Sequence, residues 1–121
     1  MPRVVHFAFP ADDPERAAAF FTKAFGWKIT KWEGPMDWWM IQTGEAPEPG
    51  IDGGLGPRTD DAGARVTLDV PDLDEYVRRV EAAGGKLVMP RMAIAGVGWM
   101  AYCTDTEGNV FGIMQNDPAA Q

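Results

Sequence analysis

The stretch Thr104–Asp117, TDTEGNVFGIMQND, reads as a polar turn followed by a strand with one misfit. Thr104 to Asn109 carry turn chemistry. Val110, Phe111, Ile113 and Met114 are strand material. Gly112 sits among them, where a glycine weakens a strand and packs nothing. The same misfit occurs at Gly53 in IDGGLG, 59 positions earlier. Asp13 and Asp72 are 59 apart, each before a helical pattern, and so are Gly26 and Gly85 after those patterns. Internal repetition outranks local propensity as a fold signal.

Working outward, each half reads strand, helix, three strands. RVVHFAFP (3–10) is a strand. DDPERAAAFFTKAFG (12–26) is a helix with Asp13 as cap, Pro14 in its first turn and Gly26 as its stop. Its apolar positions are Ala17, Phe21, Ala24 and Phe25. WKITKWE, DWWMIQTG and IDGGLG complete the half. The second half runs ARVTLDV, then a helix DLDEYVRRVEAAGG with a capping box of Asp72 and Glu75 and a stripe of Leu73, Val77 and Val80. The strands KLVMP, GWMAYCT and NVFGIMQ follow, the first two separated by a loop RMAIAGV. The helices are expected at about 14–22 and 73–83. "WM" recurs at Trp39–Met40 and Trp99–Met100, one residue out of step with the repeat. The expected fold is α+β: one domain of two βαβββ modules, about 1–59 and 60–121.

Bulk properties exclude several classes. The chain has 121 residues, one domain's worth. A net charge of −7 disfavours a generic binder of nucleic acid or anionic membrane. No apolar run suits a membrane span or signal peptide, so a soluble cytoplasmic protein is expected. One cysteine, Cys103, excludes an internal disulfide framework. No serine occurs, which excludes a Ser-His-Asp triad. "GGLG" precedes no helix and is not a phosphate loop. Five Trp and seven Met fit either core filling or a large apolar pocket or subunit interface, and a homodimer is expected from that apolar surplus.

The doubled frame, with VVHFAFPADDPERAAAFFTKAFGWKI, VPDLDEYVRRVEAAGGKLV and DTEGNVFGIMQ, resembles the vicinal oxygen chelate superfamily: glyoxalase I, bleomycin- and fosfomycin-resistance proteins and extradiol dioxygenases. Thr106 stands where the family's turn carries proline. The resemblance implies a curved mixed sheet whose concave face is a cleft. It also implies metal ligands at four points, which fall here on His6, Gly53, Arg65 and Gly112. Only His6 is a ligand-type residue, and Arg65 is a fixed cation. Catalytic divalent metals need about three donors from His, Asp, Glu or Cys. No metal or other cofactor is therefore expected, with a divalent metal held by a non-standard set, Asp52 or Asp69, as the alternative.

Strand alternation then assigns the cleft face. With His6 go Val4 and Ala8, while Val5, Phe7 and Phe9 pack under the helices. Arg65, Thr67 and Asp69 face the cleft, and Val66, Leu68 and Val70 pack beneath. Tyr102, Met100 and Met114 join them, with Trp38, Met40 and Gln42 from the first module. Met40 and Gln42 are taken as the equivalents of Met100 and Tyr102. Cys103 is assigned to the core. Few polar groups on an apolar wall is the usual build of a small-molecule site. His6 and Tyr102 are the candidate catalytic acid–base groups. Arg65, Thr67, Asp69, Trp38, Met40, Gln42, Met100 and Met114 are candidate substrate-binding residues. The plainer alternatives are a neutral core histidine for His6, an ion pair with Asp69 for Arg65, and a wall residue for Tyr102. The functional expectation is a metal-independent small-molecule-binding protein. The alternatives are a glyoxalase- or dioxygenase-type lyase or oxygenase, and a homodimeric domain with no ligand.

Overall fold

The computed structural model describes residues 2–59 and 63–121. The expected module boundary at 59/60 abuts residues 60–62, which lie outside the described residues. Among the described residues, eight strands and two helices follow the expected order. β1 is Arg3–Ala11, α1 Pro14–Phe25, β2 Lys28–Lys31, β3 Trp39–Gln42 and β4 Asp52–Pro57. β5 is Arg65–Asp69, α2 Leu73–Ala82, β6 Lys86–Ile94, β7 Gly98–Thr104 and β8 Val110–Asn116. The fold is α+β, as the sequence indicates. Two compact units form, one of His6–Arg65 and the other of Met1–Val5 with Val66–Gln121.

In the unit His6–Arg65 the strand order is β2-β3-β4-β1. β1 and β4 run parallel, with His6 opposite Asp52, and the other pairs are antiparallel. α1 starts where the Asp13 side chain accepts a bond from Arg16 N–H at 3.1 Å. It stops at Gly26, whose φ of 73° is left-handed and costs glycine little. Its apolar face packs Ala17, Ala18 and Phe21 with Phe7, Phe9, Trp27 and Trp39 around Ala11, Ile41 and Leu55. The Phe21 ring stacks on Phe9 (5.2 Å, 13°) and Trp27 (5.1 Å, 14°). Ala24 and Phe25, expected on this face, are exposed. α1 runs a turn longer than its buried stripe, and Phe25 covers Trp27 from the solvent side at 5.6 Å.

In the other unit the order is β5-β8-β7-β6, again one parallel pair and two antiparallel. Asp72 caps α2 by accepting from Glu75 N–H at 3.2 Å. The reciprocal half of the capping box is absent, because the Glu75 carboxylate pairs with Arg79 at 3.3 Å instead. Gln115 on β8 accepts a bond from Leu73 N–H at 2.9 Å, which ties the first turn of α2 to the sheet. Leu73, Val70, Ala101, Cys103 and Ile113 form the core, with Tyr76, Val77 and Val80 against it. Cys103 is fully buried, as its strand register requires. Burial and the nearby Glu81 push its thiol up, away from the reactive thiolate.

Three sequence expectations need correction. RMAI is strand, not loop: β6 continues to Ile94 past two register shifts, which let Pro90 sit in an edge strand. Val5 and Val66, assigned beneath the sheet, are 45% and 41% exposed, and neither packs against the two core clusters. The repeat interval also changes. Asp13 and Asp72 keep 59, but the left-handed glycine after α2 is Gly84 (φ 105°), not Gly85. The second helix is shorter than the first, so the interval contracts to 58.

Candidate functional site

Glycines shape the site in both units. In β4 the parallel register pairs Phe7 with Gly53 and Ala8 with Gly54. A Cβ at Gly53 would collide with the Phe7 carbonyl oxygen and lie 2.7 Å from the Phe7 ring. Gly53 therefore faces the core with Phe7, and its expected place on the His6 face is wrong by one residue. Gly54 and Gly56 take that face. A Cβ on either would meet the Trp38 indole, so the two alternate glycines leave a flat strip on which that ring lies. Gly54 is the counterpart of Gly112: Ala8 opposes Gly54 as Thr67 opposes Gly112.

The same shift brings Asp52 onto the His6 face, directly across from it. The imidazole lies 6.5 Å from the Trp38 ring at 22°. Burial pushes His6 below its ordinary value of 6.5, and the Asp52 charge offsets part of that. Asp52 Oδ1 accepts bonds from Thr43 N–H at 2.9 Å and Thr43 Oγ1 at 3.3 Å, which orients the carboxylate. Met40 lies across from Gly54 and is exposed. Gln42 turns away, donating to the Gly44 carbonyl at 3.1 Å. This half of the site is thus a neutral imidazole beside a carboxylate, with an indole platform and a thioether. An open hollow of about 380 Å³ lined by Lys31, Trp32, Glu33, Gly34, Met36 and Asp37 shares none of these residues.

In the other unit one sheet face carries Thr67, Asp69, Met100, Tyr102, Gly112 and Met114. Gly112 lies between Thr67 and Tyr102 in register. A Cβ there would meet Met100 Cε at 2.7 Å, Thr67 Oγ1 at 3.0 Å and Tyr102 Cε1 at 3.3 Å. The room a side chain at this position would occupy is filled by the Met100 methyl, so the glycine opens no space here. Thr67 and Met100 are 5% and 8% exposed. Asp69 accepts a bond from Asn116 Nδ2 at 3.2 Å. The register also revises the repeat. Tyr102 opposes Gly112 and Met40 opposes Gly54, so Met40, not Gln42, corresponds to Tyr102.

No group of three or more His, Cys, Asp or Glu able to hold a metal ion occurs among the described residues. No helix among them is long and apolar enough to cross a membrane.

Residues 3–113 match the family model of the Glyoxalase/Bleomycin resistance protein/Dioxygenase superfamily. The chain belongs to that superfamily. A glyoxylase-like domain-containing protein of Didymella fabae is 32% identical over 110 residues, covering 86% of each chain. Two solved superfamily-fold structures are similar at low identity. One is methylmalonyl-CoA epimerase from Mycobacterium tuberculosis (TM-score 0.71, 15% identity, 95% of this chain and 88% of that one). The other is a glyoxalase/bleomycin resistance protein/dioxygenase superfamily member from Vibrio splendidus (0.65, 18%, 96% and 100%). At such identities they show the superfamily fold alone.

His6 is the chain's only histidine, so its titration can be read without ambiguity. Its folded-state pKa lies below the unfolded value. Its contribution to stability is therefore complete above pH 6.5 and is lost as pH falls from there through the folded-state value. Urea midpoints between pH 7.5 and 5.5 should decline for the wild type and decline less for His6→Gln. Equal slopes would show that His6 is not desolvated.

Proposed function

We propose that this superfamily member is a small-molecule-binding protein that works without a divalent metal. The observation behind this reading is the filled position at Gly112, where Met100, Thr67 and Tyr102 occupy the space of a ligating side chain. Among the described residues, His6 and Asp52 offer two facing donors in the other unit, short of the three that a catalytic divalent site needs. The binding surfaces are the His6–Trp38–Met40 face and the Thr67–Tyr102–Met114 face. Indole, phenol and thioether groups there supply apolar contact, and a few polar groups supply orientation. Asp69 adds a charge on the second of these faces for a polar end of a ligand. A homodimer in the cytoplasm belongs to the same reading, and light scattering at high micromolar concentration tests the assembly.

A second reading rests on the His6–Asp52 pair. A neutral imidazole facing a carboxylate is a general base held ready at neutral pH, so proton abstraction without a metal is the enzymatic alternative.

A thermal-shift screen of small molecules, run with and without EDTA, tests the proposal. Hits should raise the melting point equally in both conditions, because a ligand bound only to the native state stabilises it. Hits that vanish with EDTA, in protein that elemental analysis shows to carry about one Zn, Ni, Fe or Mn per chain, would overturn it.

A further inference from the structure

β6, β7 and β8 are adjacent, and their registers align three methionines in one row. Met92 lies opposite Met100, and Met100 lies opposite Met114. Directly opposed residues on neighbouring strands project from the same face, with Cβ atoms about 5 Å apart. Three unbranched thioethers thus stand side by side across the sheet, flexible enough to turn their sulfurs toward one point above Met100. Met100 is nearly buried, while Met92 and Met114 are partly exposed, so the row has a reachable side.

The charges around the row suit a cation. Asp69 continues it on β5, opposite Met114. Arg91, next to Met92 in sequence, is turned to the other face, where it lies 4.1 Å from the Trp99 ring and pairs with Asp74 at 2.9 Å. The chain as a whole carries −7. Thioethers are neutral, soft donors that select Cu(I) and its congeners over Zn, Mg or Ca. We infer that the Met92–Met100–Met114 row binds a soft monovalent d10 cation, Cu(I) or Ag(I), at one site per chain. This site is separate from the His6–Asp52 pair; it shares Met114 and Asp69 with the small-molecule surface proposed for this unit but does not rest on that reading.

The test is anaerobic titration of the purified full chain with Cu(I) against a chromogenic chelator. The wild type should withdraw one Cu(I) per chain, and X-ray absorption should show sulfur neighbours. Met92→Leu, Met100→Leu and Met114→Leu conserve volume and should each weaken binding at least tenfold. The triple variant should abolish it, and Cys103→Ala should leave it intact. The inference is overturned if the wild type does not compete, if the single variants bind as the wild type does, or if Cys103→Ala removes the ion.

Discussion

Gly53→Ala should destabilise the chain by about 3 kcal/mol, from overpacking against a neighbour that cannot move away. The obstacle is the Phe7 carbonyl oxygen on the paired strand, a backbone atom fixed by the parallel ladder, with the Phe7 ring beside it. Relief requires spreading β1 from β4, which breaks several ladder bonds together. Domain stabilities are about 5–15 kcal/mol, so this one methyl removes a large share. Gly54→Ala, one residue on, meets the Trp38 indole instead. A side chain can swing out, so the cost should be about 1–2 kcal/mol and should nearly vanish in a Trp38→Ala background. Urea denaturation of the wild type, the three single variants and the double variant decides it. Equal losses for Gly53→Ala and Gly54→Ala would mean that the β4 register is not the one described.

Zinc affinity should rise at least a hundredfold in the double variant Trp38→Ala/Gly54→His. The wild type places His6 and Asp52 opposite each other, and Gly54 lies two residues along β4 on the same face. A histidine there would be an i,i+2 neighbour of Asp52 and a diagonal neighbour of His6, about 7 Å away before the side chains converge. Three donors can hold Zn²⁺ where two cannot. Trp38 must go because its indole occupies the space. Isothermal titration should give one Zn²⁺ per chain at low micromolar Kd, and His6→Ala should remove it. Placing glutamate at Gly53 should instead unfold the protein, because that position faces the core. Gain of zinc through Gly53 rather than Gly54 would refute the register.

Much of the fold was legible in residue spacing. Asp13 and Asp72 mark the helix starts, and the repeated strand–helix–strand order identifies the doubled module, because caps and alternation are local chemistry. Cys103 falls in the core by alternation from Tyr102, and Ile113 by alternation from Gly112, with Phe111 packed against them. Parity also kept Trp38, Met40, Met100, Tyr102 and Met114 on consistent faces within their own units. What parity does not carry is register between strands.

The glycine pair shows where sequence reasoning stops. Gly53 and Gly54 are chemically identical and adjacent, and the interval of 59 selects Gly53. The strand registers pair Ala8 with Gly54 and Thr67 with Gly112, an interval of 58 here, so the residue facing Phe7 and the residue under Trp38 exchange roles. The alternating glycines at 54 and 56, with an indole upstream, are the sequence signal that could have corrected the choice. Nothing local announces that Met100 fills the space beside Gly112, or that Met92, Met100 and Met114 form a row. The sequence by itself determined the order of the elements, the helix starts and most of the faces that pack. Only the tertiary structure decided where β6 ends and which residue meets which across the ladders, because that depends on bulges and backbone pairing over tens of residues.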